Sequence, residues 1–297
     1  MDTCRRRLAK YLGFEDSASV LFWIVLAPTT CLVAAARSPL LTTWGMHAFG
    51  APGESFLLRD VRVIFIIHLA FIIPWCFIGV LQFVPSIRKS LAFQYHRLAG
   101  RIFLCLSLVV AVSGLAMVTK AFGGSFVGQI GMFTLSVVFL IAAFNGYWSI
   151  LSKNIPAHRD WMLRLFAYGT SVITLRVFMF VGLQLSPALG LYTISKCDVI
   201  ADLIGDSQTL HTFSGCGNQT VDGSKLVIIQ GGFTSMANVM AGLQIGFQGG
   251  VLLALFVHAA LVELWIRERY YTRRKPTIET NVPVHPIEDD GSSLVID

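Results

Sequence analysis

Six runs of apolar residues, at about 19–36, 61–83, 100–119, 128–151, 161–184 and 245–266, divide this chain. Each is long enough to cross the hydrocarbon of a bilayer as one helix, which takes roughly 18–20 residues. Only 13% of the 297 residues are charged, about half the share found in soluble domains. The expected fold class is therefore all-α: a polytopic membrane helix bundle of about six transmembrane helices. Such a chain is an integral membrane protein of the endoplasmic reticulum, secretory pathway or plasma membrane, in contact with membrane lipids, and nothing in it points to a nucleic-acid partner.

Charge at the helix ends predicts the orientation. With the N-terminus in the cytoplasm, most of the 23 Lys and Arg residues, including Arg5, Arg6, Arg7, Arg88, Lys89, Arg97, Arg101, Arg159, Arg164 and the Arg273–Lys275 cluster, fall on the cytoplasmic side, as positive residues do. Both termini are then cytoplasmic. The expected organisation is a cytoplasmic N-terminus (1–18), a membrane domain (19–266) and a cytoplasmic tail (267–297) whose Pro-rich, acidic end suits disorder. The basic leader and the sequence VAAARS also fit a cleaved signal peptide, but its length and its Glu15 and Asp16 favour a retained first helix.

The single long outer loop, 186–244, carries Asn218-Gln219-Thr220, a glycosylation acceptor that makes sense in a lumen. It also holds Cys197 and Cys216, the two of six cysteines predicted to meet an oxidising compartment. A disulfide between them is expected.

Ionisable residues within spans are costly and mark functional candidates. His68 lies about seven residues into the second span, one turn and a half before Pro74, and Arg176 lies at a similar depth in the fifth. Arg176 keeps its charge, so it snorkels, or it binds backbone carbonyls or an anionic ligand. No Asp or Glu falls inside the apolar cores; Glu263 sits at the cytoplasmic end of the sixth. That lack argues against carboxylate proton relays and against acid-initiated or metal-diphosphate chemistry.

Two motifs open spans at the cytoplasmic rim. In HRLAGR, His96 and Gly100 share one helix face and Arg97 and Arg101 the next; the glycine would admit another helix or a flat ligand. In HRDWMLR, Asp160 is spaced to pair with Arg164, with His158, Trp161 and Met162 beside them. Topology and anionic lipid explain the arginines. The histidines, largely neutral at pH 7, need another explanation.

Together these residues resemble the membrane-protein family called domain of unknown function 2306. Its pattern is an early-helix histidine (His68), HR-x-x-GR (His96, Arg97, Gly100, Arg101), HR-x-W-M-x-R (His158, Arg159, Trp161, Met162, Arg164) and a late arginine (Arg176), over about 60–180. The resemblance implies the fold and no activity. The long loop departs from the compact bacterial pattern and is similar to a eukaryotic, fungal elaboration.

Three functions remain open. The layout of histidines is similar to cytochrome b561-like bundles, which implies a b-type haem held by His96 and His158 at one depth, with arginines at its propionates. Alternatively, the chain is an isomerase- or cyclase-like enzyme or a carrier for an anionic, amphipathic lipid or polyprenylated metabolite of fungal specialised metabolism. Arg97, Arg101, Arg159 and Arg164 would then bind the anion, and His96 or His158 would be the catalytic acid or base. The third is a non-catalytic accessory protein.

Overall fold

The computed structural model describes residues 17–42, 61–86, 93–120 and 125–274. In chain order it forms α1 (Ser17–Ala36), α2 (Arg62–Gln82), α3 (Phe93–Met117), α4 (Phe126–Leu151), α5 (Ile155–Leu189), β1 (Tyr192–Lys196), α6 (Cys197–Ile204), α7 (Asp206–Thr212), β2 (Leu226–Gln230) and α8 (Met236–Arg274). Helices α1 to α5 and α8 supply six apolar segments long enough to cross a membrane, as the sequence predicts. The expected disordered end of the tail, like the N-terminal leader, lies outside the described residues.

Local chemistry sets several helix ends. Ser125 caps α4 by accepting from the Gly128 amide, and Asn154 caps α5 by accepting from that of Ala157, each satisfying a first-turn donor. Gly190 closes α5 in the left-handed region, φ 60°, where glycine alone is unstrained. Helices α5 and α8 run to 35 and 39 residues, well beyond their apolar runs. The polar extensions of α5 (Ile155–Asp160) and α8 (Arg267–Arg274) continue the helices without lengthening the apolar signal, so hydropathy does not register them.

Neighbours in sequence pack as neighbours in space, and α8 returns against α4 and α5. At the centre Trp75 of α2 is fully buried. Its ring stacks on Phe103 of α3 (4.9 Å) and Phe166 of α5 (5.6 Å), with Phe139 of α4 at 5.7 Å. Its indole N–H donates to Ser107 Oγ at 2.8 Å, so the one polar atom of the plug is satisfied. Phe103 and Phe166 meet over Gly79, where a methyl group would come within 2.9 and 2.6 Å of them. Trp23 of α1 reaches Phe83 and Phe166, each at 6.2 Å, which docks the first helix on the same core.

Helices α5 and α8 approach almost backbone to backbone. Gly246 lies against the Met179 backbone and Gly182, Gly242 against Leu183, and Gly250 against Phe178. This row, spaced by four, is a small-residue seam of the kind that lets membrane helices touch. The glycine-rich stretch of α8 is thus used inside the bundle. Gly249 is the exception, with nothing within 4 Å of where its Cβ would be.

Between α5 and α8 the loop folds into a cap. Strands β1 and β2 pair antiparallel, Tyr192 with Gln230 through Lys196 with Leu226. Cys197 and Cys216 form the expected disulfide, both fully buried. Asn218, two residues further on, is exposed.

Candidate functional site

The HRDWMLR segment fills the first turns of α5, and most of it is engaged in holding helices together. His158 Nδ1 lies 2.7 Å from the Gly146 carbonyl of α4. A carbonyl only accepts, so Nδ1 carries a proton, and in the neutral ring the lone pair is then on Nε2. Met162 and Trp161 close over the same glycine: a Cβ on Gly146 would sit 2.9 Å from Met162 Sδ and 3.7 Å from Trp161 Cβ.

Arg164 stacks 4.7 Å above the Trp161 ring and forks onto Glu263 of α8, with Nε to Oε1 at 2.5 Å and Nη2 to Oε2 at 3.0 Å. The spacing predicts Asp160 as its partner, and the structure corrects this. Asp160 accepts from the Tyr270 hydroxyl at 2.7 Å and lies 3.4 Å from Arg159. Close packing of α5 on α8 brings Glu263 face-on to the guanidinium, a bidentate geometry that a carboxylate on the same helix does not offer.

The HRLAGR segment opens α3. His96 is the fourth residue of its helix, as His158 is of α5. It is half-buried, whereas Arg97 and Arg101 are exposed. Gly100 admits no helix: among the described residues nothing lies within 4 Å of where its Cβ would be.

The helical period relates the two histidines. His96, Gly100 and Phe103 form one stripe of α3; His158, Met162 and Phe166 form one stripe of α5. Phe103 and Phe166 converge over Gly79. His96 therefore lies about 10.5 Å, and His158 about 12 Å, from that meeting point along their helices. They share a level on the arginine-rich end of the plug.

The other candidates are separated from this level. His68 Nδ1 is 3.0 Å from Ser113 Oγ of α3, and Ser113 donates its own proton to Val109 O at 2.6 Å. His68 thus donates from Nδ1, on the opposite side of Trp75 from the rim. Arg176 is half-buried and directs Nη1 toward Met179 Sδ at 3.5 Å. Lying seven residues beyond Gly169, which packs on Trp75, it also belongs to that far side.

His258 of α8 has both ring nitrogens engaged. Its Nδ1 donates to Ala167 O at 2.8 Å, and Nε2 accepts from Thr174 Oγ1 at 2.7 Å. A metal at either nitrogen would break one of these bonds, so His258 is an interhelical rivet. The sequence did not signal this role, nor those of Ser113 and the Gly146 carbonyl. All three depend on which helices become neighbours.

Donor chemistry decides whether a haem fits. An axial ligand needs a neutral imidazole with one free nitrogen, commonly held by a hydrogen bond from the other. His158 has the Nδ1 bond that such a ligand uses, and His96 stands at its level beside Gly100. Arg164 is bound to Glu263, and Arg97 and Arg101 are exposed at the same end. No group of three or more His, Cys, Asp or Glu residues suits a bare metal ion among the described residues.

Residues 65–200 match the family model DUF2306, predicted membrane protein. The matched stretch holds the three histidines His68, His96 and His158, both rim motifs and Arg176. It ends in α6, so β2 and α8, with Glu263 and Tyr270, lie outside it. No curated protein and no solved structure matches the chain.

Proposed function

We propose that this multi-pass membrane protein binds a b-type haem at the arginine-rich end of the bundle and serves electron transfer. His96 and His158 would hold the iron, and Arg97 and Arg101 would face the propionates. The observation that carries this reading is the 2.7 Å contact from His158 Nδ1 to the Gly146 carbonyl. It fixes the ring and leaves Nε2 as a ligating lone pair, the orientation that metal-bound histidines adopt. The unfilled flank of Gly100, one turn from His96, supports the approach of a flat ring. When bound, the group supplies one-electron chemistry; the protein contributes the ligand nitrogens, the charge at the rim and an apolar surround.

The same bare Nε2 supports a second reading, an enzyme or carrier for an anionic amphipathic metabolite in which His158 accepts a proton. The exposed Arg97 and Arg101 would then bind the head group. An absorption spectrum of the protein purified in detergent separates the two. The haem reading expects a Soret band that shifts on dithionite reduction and is lost in His96→Ala and His158→Ala but kept in His258→Ala. A colourless, folded preparation that stays colourless on adding hemin overturns it. Altered host metabolites in an Arg97→Gln, Arg101→Gln variant at normal protein level would then favour the second reading.

A further inference from the structure

The cap hairpin carries an apolar face that stays exposed among the described residues. Side chains alternate across a two-stranded sheet, and here the alternation sorts them sharply. Ile229 is buried against α6 and the start of α8, together with Ile200, Ala237 and Ala241. On the opposite face Tyr192, Ile194, Leu226 and Ile228 are 60, 63, 61 and 68% exposed. Pairing of Ile194 with Ile228 and of Lys196 with Leu226 makes these one contiguous patch.

The placement of the hairpin indicates what covers the patch. Its inner face lies against α8, a helix that crosses the membrane, so its outer face points sideways, along the membrane plane. Thr193 Oγ1 stands 3.5 Å from Gln248 Nε2, and Gln248 lies about 18 Å along α8 from its first residue by the helix rise. The hairpin therefore flanks the first turns of the last span. Leu189 and Met236, which end α5 and begin α8 on either side of the cap, are likewise 63 and 49% exposed.

Two costs set the depth. A two-stranded sheet has two open edges, whose unpaired amides and carbonyls exclude it from the hydrocarbon core. Four large apolar side chains on one face disfavour immersion in water. The level that satisfies both is the headgroup boundary, where tyrosine is favoured and a lysine such as Lys196 can keep its charge in water.

We infer that the β1–β2 hairpin is an interfacial lipid-binding element, resting its Tyr192, Ile194, Leu226, Ile228 face on the outer edge of the acyl chains and fixing the disulfide-closed cap against the membrane. A second copy or another protein on this face is the competing occupant.

Site-directed fluorescence tests this. In a variant with Ser at positions 4, 31, 76 and 105 and the Cys197–Cys216 bond verified by mass, Ile194→Cys, Ile228→Cys and the cap control Gln208→Cys are each labelled with a polarity-sensitive nitrobenzoxadiazole. The proteins are placed singly in phosphatidylcholine nanodiscs. The inference expects blue-shifted emission at 194 and 228, quenched several-fold more by lipids with a spin label near the headgroup than by lipids labelled near the chain end. Position 208 should behave as in water. Water-like, unquenched emission at 194 and 228 overturns the inference. So does blue-shifted emission that lipid labels leave unquenched, or that appears only when two copies share a disc. A labelled variant that loses its native elution is replaced by Tyr192→Cys or Leu226→Cys on the same face.

Discussion

Arg164 and Glu263, 99 residues apart, form a two-pronged ion pair that ties the early turns of α5 to the late turns of α8. The pair is intermediate in setting, with side chains 18 and 40% exposed. Removing one partner of a fully buried pair costs about 3–5 kcal/mol, and an exposed pair is worth under about 1 kcal/mol. Glu263→Ala should therefore destabilise the bundle by roughly 1–3 kcal/mol. The double change Arg164→Met, Glu263→Leu should recover much of the loss, because no charge is then left without its partner. Thermal unfolding in detergent reads both. A double variant no better than the single would mean that the pair, not the stranded charge, carries the energy.

His258 gives a contrasting expectation. With both ring nitrogens engaged across the α5–α8 seam, His258→Leu leaves the Ala167 carbonyl and the Thr174 hydroxyl without their partner, a cost of about 1–3 kcal/mol for buried groups. The melting temperature should fall, while any absorption due to a cofactor at His96 and His158 stays unchanged in band position. Loss of colour at full folding in His258→Leu would put the ligand on the wrong histidine.

The glycines of α8 separate contact from composition. At Gly246 an added methyl meets backbone atoms of Phe178 and Met179, which cannot rotate away, whereas at Gly249 it meets nothing within 4 Å. Gly246→Ala should force the seam apart and cost on the order of 1–3 kcal/mol, as overpacking does. Gly249→Ala should be neutral or slightly stabilising through helix propensity, about 1 kcal/mol at most. Unfolding of the two variants side by side is the measurement, and equal losses would contradict the assignment of the seam.

The bundle was legible because its signal is additive: a span is about twenty apolar residues in a row, and each residue contributes independently. The Cys197–Cys216 bond was legible for a similar reason, since only those two cysteines fall in the long loop between the fifth and sixth spans. Partners of single side chains were not. Asp160 stands one turn from Arg164, and local spacing favours that pair, yet the arginine reaches Glu263 once α8 has packed. His158 and His258 look equally available in sequence. One retains a free nitrogen and the other does not, which depends on whether the facing helix offers one acceptor, as at Gly146, or an acceptor and a donor, as at Ala167 and Thr174.

Asn218 tests the sidedness of the whole arrangement. It is exposed, two residues beyond a buried disulfide cysteine and at the opposite end of the bundle from Arg97, Arg101 and Arg159. Positive residues stay on the cytoplasmic side, so the cap should enter the lumen, where both the disulfide and the Asn218-Gln219-Thr220 acceptor become chemically reasonable. Expressed in eukaryotic cells, the wild-type protein should lose apparent mass on glycosidase treatment, and Asn218→Gln should run at the deglycosylated position without treatment. An unglycosylated chain whose position 218 becomes accessible to modifying reagents only after the cytoplasmic face is opened would reverse the orientation. It would also place His96 and His158 on the luminal side, where a different set of electron donors or metabolites could reach them.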